Sequence, residues 1–319
     1  MEKRYSKWGL ALGGGGARGI AHIGVLKVLQ REQLIPDVIT GTSIGALVGG
    51  AFACRPDADA LEARVYEVLD SDSDENKQLK QISRLNWAER SDSSLFNRLL
   101  RSVQKEIFLG MALFRNGVWS MEELRYSVSA FIPDVDLTET SIRFVPLAVD
   151  LLTGESVLLK NGSIIKAVMA SCAVPGFMPP VPIGDALLVD GGLADLIPDR
   201  AARTCGVDKV ISVDVSIKLD NQISIKDGID AINRATDIMK YHLGDGAHSR
   251  SELVIHPLED HCSWTDFKGH RDLVQQGEAA AEACLDDIRR VLRKRSRIWQ
   301  WPAAVWTNVK TGTSINSQI

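Results

Sequence analysis

Two short apolar runs near the start of the chain each end in a glycine turn and lead into an apolar, helix-like stretch. This pairing constrains the fold more than any other feature. "KWGLAL" (Lys7 to Leu12) reads as a buried strand running into "GGGGARG" (Gly13 to Gly19). After it, Ile20, Ile23, Val25, Leu26, Val28 and Leu29 fall mostly at helical spacing, which predicts a helix from about Ala17 to Glu32. "PDVITG" is a second strand, followed by the buried helix "SIGALVGGAFAC". Strand, glycine turn, helix and strand in this order open a parallel α/β sheet.

The later chain continues that pattern after an interruption. From about residue 57 to 131 the sequence is helical, irregular and more polar, with "SDSDEN" as a loop, and reads as a helical insertion or lid over one face of the sheet. Ser120 followed by Glu123 predicts a capping box opening the helix "MEELRYSVSAF". "IRFVPLAVDLLTG" and "ESVLLKNG" form an expected hairpin, "SIIKAVMAS" a helix, and "VDKVISVDVS" a strongly β-branched strand. A helix from Ile225 to about Gly244, the strand "ELVIHP" and a helix from Asp272 to Arg295 complete one domain over residues 1–295. Residues 296–319 lack core periodicity and read as a tail.

Gly14, Gly16 and Gly19 spell G-x-G-x-x-G, the spacing of a dinucleotide turn. A Rossmann site also needs an acidic residue near the end of the second strand, and Asp37 stands at the wrong end. A phosphate loop of the Walker type fails because Ile20 and Ala21 follow Gly19. The residues after the second strand point elsewhere. "GTSIG" (Gly41, Thr42, Ser43, Ile44, Gly45) is G-x-S-x-G between a strand and a helix, the setting of a nucleophile elbow. Its glycines permit a sharp turn, and Ser43 then projects at a helix N-terminus whose dipole favours developing negative charge. The N–H groups of the first glycine loop would serve as oxyanion donors. "GTSIN", from Gly312 to Asn316, repeats four of the five letters in the tail without a preceding strand, and reads as coincidence.

A base for Ser43 can be sought in two places. A triad with a late histidine would draw on His256, His261 or His270, none in a distinctive setting, while His22 reads as a packed residue of the first helix. "LLVDGG" instead places Asp190 at the end of an apolar strand before Gly191 and Gly192, from where a carboxylate could reach Ser43 across a parallel sheet. Plainer roles exist for each residue: a helix N-cap for Ser43, an Asp-Gly turn for Asp190, a surface charge for Arg18. Asp150, Asp185 and Asp214 read as loop or strand-end acids.

Taken together, "GGGGARG", "GTSIG" and "DGG" resemble the patatin-like phospholipase family, with "ARGIAHIGVL" and "ASCAVPGFMPPV" extending the likeness from about Leu10 to Asp214. The resemblance implies a three-layer α/β/α fold with a mainly parallel central sheet. It implies a serine acyl hydrolase, a lipid esterase or phospholipase A type, acting through a Ser–Asp dyad and an acyl-enzyme. Ser43 is then the nucleophile and Asp190 the proton acceptor, with Gly14, Gly15, Gly16, Ala17, Arg18 and Gly19 forming the oxyanion hole. No cofactor or metal is implied. A lipid-binding or signalling adaptor of the same fold with little turnover is the alternative.

Composition limits the partners. The net charge of −4 argues against nucleic acid, yet from Arg289 onward there are seven basic residues and no acidic one. That end also carries Trp299, Trp301 and Trp306, a composition suited to anionic lipid headgroups as well as to a solvated tail. Five scattered cysteines without a C-x-x-C pair suit reduced thiols. No apolar stretch of signal-peptide length precedes the glycines, and Ile44 to Cys54 is far shorter than the roughly 20 residues of a bilayer span. The expected location is cytoplasmic with peripheral contact at the inner membrane, and the expected substrate is a phospholipid or other fatty acyl ester.

Overall fold

The computed structural model describes residues 5–71, 119–216, 225, 228–247, 250–258 and 266–293. Its frame is an eight-stranded mixed sheet with helices on both faces. The strands are β1 (Trp8–Leu12), β2 (Val38–Thr42), β3 (Arg143–Asp150), β4 (Ser156–Leu158), β5 (Val181–Ile183), β6 (Ala186–Asp190), β7 (Lys209–Val213) and β8 (Leu253–Ile255). Five of them, in the order β3-β2-β1-β7-β8, pair in parallel. β4, β5 and β6 form the antiparallel part, with β4 and β6 each paired to β3.

Helices α1 (Ala21–Arg31), α2 (Ile44–Cys54) and α3 (Ala58–Asp70) follow the first two strands. α4 (Met121–Ser129), α5 (Ile164–Cys172), α6 (Asp199–Thr204), α7 (Gly228–Ala247), α8 (His270–Ala283) and α9 (Leu285–Leu292) come later. Alternation along the strands explains the layers, because successive side chains point to opposite faces. Leu10, Leu12, Ile39, Phe144, Ile211 and Val213 enter the large core beneath α1, α2, α5 and α8. Ala11, Val38, Val145 and Val210 point the other way, onto Ala202 of α6 and its neighbours.

Most expected elements form where periodicity places them. The capping box at Ser120 is present with both of its hydrogen bonds, and β3 and β4 form the expected hairpin. The long final helix is two. It starts at His270 and breaks at Cys284, and the break lets α9 bury Ile288 and Leu292 against the sheet. The helix after the glycine loop begins with a 3-10 turn, Gly16–Ile20, before α1. Most of the predicted insertion, residues 72–118, lies outside the described residues, as do the tail and its tryptophans.

Asp190 stands differently from the sequence-based expectation. Leu147 of β3 pairs with Thr42 and with Leu158, and Ala148 pairs with Asp190 and with Val157. β4 therefore runs along one edge of β3, while β2 and β6 share the other. β2 occupies residues 143–147 of that edge and β6, antiparallel to β3, takes 148–150. The C-terminal ends of β2 and β6 meet head to head. Asp190 thus approaches Ser43 along one edge of β3, not across a parallel sheet.

Candidate active site

The turn from β2 into α2 is tight enough to leave Ser43 in a backbone state that side chains rarely adopt. Its φ of 56° and ψ of −126° lie far from the ordinary allowed regions, where strain of about 1–3 kcal/mol is typical. The two flanking glycines explain how the turn closes. A Cβ on Gly41 would stand 2.5 Å from the Gly45 carbonyl oxygen, and one on Gly45 would stand 2.2 Å from the Leu12 carbonyl oxygen. Thr42 is buried and its hydroxyl donates to the Asp195 carbonyl at 3.1 Å, while Ile44 packs against Gly19.

The glycine loop lies directly against this turn. A Cβ on Gly14 would fall 3.3 Å from Ser43 Cβ and 3.5 Å from Thr42 Cγ2. The Gly13 and Gly14 N–H groups are committed to the Val213 and Leu196 carbonyls, at 3.0 and 2.9 Å. His22, fully buried, donates from Nε2 to the Gly13 carbonyl at 2.8 Å and so fixes that peptide. Burial pulls the His22 pKa down to about 4, and the ring is neutral at neutral pH. Arg18 Nε donates to the Gly15 carbonyl at 3.0 Å. In a trans peptide N–H and C=O point oppositely, so this bond aims the Gly16 N–H away from Arg18. The 3-10 turn from Gly16 carries Ala17 and Gly19 buried, with Arg18 half-buried.

Asp190 is 6% exposed, and its Oδ1 accepts from the Gly192 N–H at 2.7 Å. A Cβ on Gly192 would meet that same oxygen at 3.0 Å and Thr42 Cγ2 at 3.8 Å, and one on Gly191 would stand 2.5 Å from the Leu147 carbonyl oxygen. The glycine loop, the serine turn and the Asp-Gly-Gly segment are thus brought to one place at the C-terminal ends of β1 and β2.

Most of the rival groups have partners of their own. Asp150 accepts from Leu152 N and Thr153 Oγ1 in the β3–β4 turn and from Leu187 N of β6, and Asp185 is exposed. Asp214 accepts from Ser216 N and lies 3.5 Å from His256 Nδ1. His270 sits beside Asp70 and Tyr66, and His261 lies outside the described residues.

Two features were not singled out in the sequence. Ser171 and Cys172 contact the Ser43 backbone, although "ASCAVPG" stands out in the sequence only as part of the family likeness. Asp195 has its carboxyl pushed up to about 7 by burial and by the neighbouring Asp199. The signal for either was position alone, since no spacing rule marks them. Among the described residues no cluster of His, Cys, Asp and Glu suits a metal ion, and no helix is long and apolar enough to cross a membrane.

Comparison with known proteins identifies the family of the chain. The family model described as patatin-like phospholipase matches residues 10–203. An NTE family protein of Mycobacterium tuberculosis is 34% identical over 208 residues, covering 65% of this chain and 30% of that protein. Patatin-like phospholipase domain-containing protein 6 of Mus musculus is 29% identical over 218 residues, covering 67% of this chain and 14% of the relative. The chain therefore matches less than a third of the length of either. Among solved structures, VipD from Legionella pneumophila aligns with a TM-score of 0.46 at 15% identity, over 89% of this chain and 67% of that one. With the matched segment spanning both glycine turns and the Asp-Gly-Gly strand end, the chain belongs to the patatin-like phospholipase family.

Proposed function

We propose that the protein is a serine hydrolase of fatty acyl esters, with Ser43 as nucleophile and Asp190 as the general base that accepts its proton. The observation that carries this reading is the strained Ser43 backbone beside the glycine loop, on a strand end that meets the Asp190 strand end to end. Attack of Ser43 Oγ on an ester carbonyl forms the Ser43–carbonyl bond and places negative charge on the carbonyl oxygen. Because the Gly14 N–H is already held by Leu196, the donors for that charge are the N–H groups from Gly15 onward, at the open start of the 3-10 turn. Collapse expels the alcohol, which takes the proton from Asp190. Water, activated by the same carboxylate, then releases the fatty acid.

The test is hydrolysis of p-nitrophenyl esters of graded chain length and of a phospholipid by wild type, Ser43→Ala and Asp190→Asn, with labelling by a fluorophosphonate. Both variants should fold and lose activity by at least about a thousandfold, and only chains with Ser43 should label. An Asp190→Asn variant near wild-type rate would return the base to the histidines. A wild type inert toward every ester would favour a lipid-binding adaptor of the same fold.

The basic, tryptophan-bearing segment from residue 296 supplies a second contact with the substrate phase, an anionic membrane surface. Removing it should weaken binding to anionic vesicles; unchanged binding would exclude this role.

A further inference from the structure

Three consecutive residues at the end of α5 touch both members of the proposed dyad through their backbones. The Ser43 N–H donates to Ser171 Oγ at 3.0 Å, and that hydroxyl donates onward to the Leu147 carbonyl at 2.6 Å. The Cys172 thiol donates to the Ser43 carbonyl at 3.2 Å. The Asp190 N–H donates to the Ala173 carbonyl at 3.0 Å. Ser171 and Ala173 are fully buried.

The location gives these bonds their meaning. Leu147 lies where β2 ends and β6 begins along the shared edge of β3, the junction at which the Ser43 and Asp190 strands meet. The Ser171 hydroxyl bridges the last rung there, from Ser43 to β3. A residue held at φ 56° and ψ −126° stays there only when its surroundings over-determine it. Here both of its peptide groups are anchored by adjoining residues of one rigid helix end, and the next residue along anchors the base.

We propose that Ser171, Cys172 and Ala173 form a bracket that fixes the nucleophile against the base, with Ser171 as its principal positioning residue. The inference rests on the Ser43–Asp190 reading above. Ala173 acts through its backbone carbonyl, which no side-chain substitution removes. Cys172 contributes less than Ser171, because the Ser43 carbonyl also accepts from the Ala46 and Leu47 N–H groups at 2.8 and 3.1 Å.

The test compares wild type with Ser171→Ala, Ser171→Cys, Cys172→Ala and Cys172→Ser. Three quantities are read: the rate of fluorophosphonate labelling at Ser43, kcat and KM on a soluble ester, and the unfolding midpoint. Ser171→Ala should slow labelling and kcat together by about 10–100-fold with KM within about twofold, as expected when a reacting group is misplaced by a fraction of an ångström. Ser171→Cys, which keeps a polar hydrogen, should recover part of the rate. Cys172→Ala should lose less than about tenfold, and Cys172→Ser should stay near wild type. If Ser171→Ala does not fold, the order of the other three against wild type carries the test. Labelling and kcat at wild-type values per folded molecule, with only the unfolding midpoint lowered, would overturn the bracket. A wild type that labels nowhere would instead remove the nucleophile reading, and the bracket with it.

Discussion

At the residue scale, the site is built by withholding side chains around one that is strained. Ser43 holds a backbone conformation that glycine adopts freely, and each glycine of G-x-S-x-G is required by a close backbone approach. Replacing Ser43 by glycine should therefore relieve strain, and replacing it by alanine should not. Both variants lack the hydroxyl and should be inactive, so their difference isolates the backbone. Ser43→Gly should be more stable than Ser43→Ala by about 1–2 kcal/mol, the strain range less the extra flexibility glycine gives the unfolded chain. Urea unfolding of the two variants reads this directly. Equal midpoints would mean that the strain at Ser43 only matches the flexibility glycine adds to the unfolded chain, and a less stable glycine variant would mean that no strain resides there. The Ser43 side chain makes no capping hydrogen bond to α2, so neither substitution removes a cap.

At the element scale, helix α8 shows how the sequence can specify a contact without advertising it. A Cβ on Gly277 would lie 2.0 Å from the Ala21 carbonyl oxygen, and one on Gly24 would lie 2.0 Å from the Val274 carbonyl oxygen. α1 and α8 thus cross backbone against backbone, with Lys27 bridging to Glu62 of α3 and Glu278 of α8 at 2.7 and 2.5 Å. Gly277→Ala must push the helices apart, at or above the roughly 1–3 kcal/mol typical of overpacking. Since α1 continues directly from the glycine loop, kcat should fall in the same variant; an unchanged unfolding midpoint would show that the crossing can relax. The strands and helices themselves were legible, because buried runs such as "GLAL" and "VISV" and the Ser120–Glu123 cap carry local signals. The three glycine motifs were legible for the same reason. Pairings set by tertiary contact were not. Nothing local says that β6 runs antiparallel and shares an edge of β3 with β2, that Gly24 meets Gly277, or that the Ser171 hydroxyl reaches Ser43. Nor does periodicity mark the break at Cys284, where helical spacing continues on both sides.

At the scale of the whole molecule, the buried His22 and the half-buried Asp195, both near the site, set opposing dependences of stability on pH. His22 is held neutral, its pKa lowered from 6.5 to about 4 mainly by burial. Between those values the unfolded chain binds a proton that the folded chain refuses, so stability falls as pH drops through this window, by about 3 kcal/mol in full. Asp195 has the opposite sign. Burial and the nearby Asp199 raise its carboxyl from 3.8 to about 7, against the weaker pull of Arg250 and Arg200. The folded chain keeps a proton that the unfolded chain has lost, so stability falls as pH rises through that window. Asp136 and Asp150, whose carboxyls are lowered by hydrogen bonds, lose their contribution only as pH falls below the ordinary carboxylate range. Between about pH 4.5 and 6.5 the His22 and Asp195 slopes therefore offset each other in the wild type. Asp195→Asn should unmask a stability that climbs with pH. His22→Gln, which offers a non-titrating amide in place of the Nε2 donor, should unmask one that declines. Urea unfolding at three pH values in this window distinguishes the variants. Curves for Asp195→Asn and wild type that run parallel would show that Asp195 does not hold its proton in the fold. Both residues also stand beside the site. His22 anchors the loop before Gly14, and Asp195 lies on the segment whose carbonyl receives Thr42.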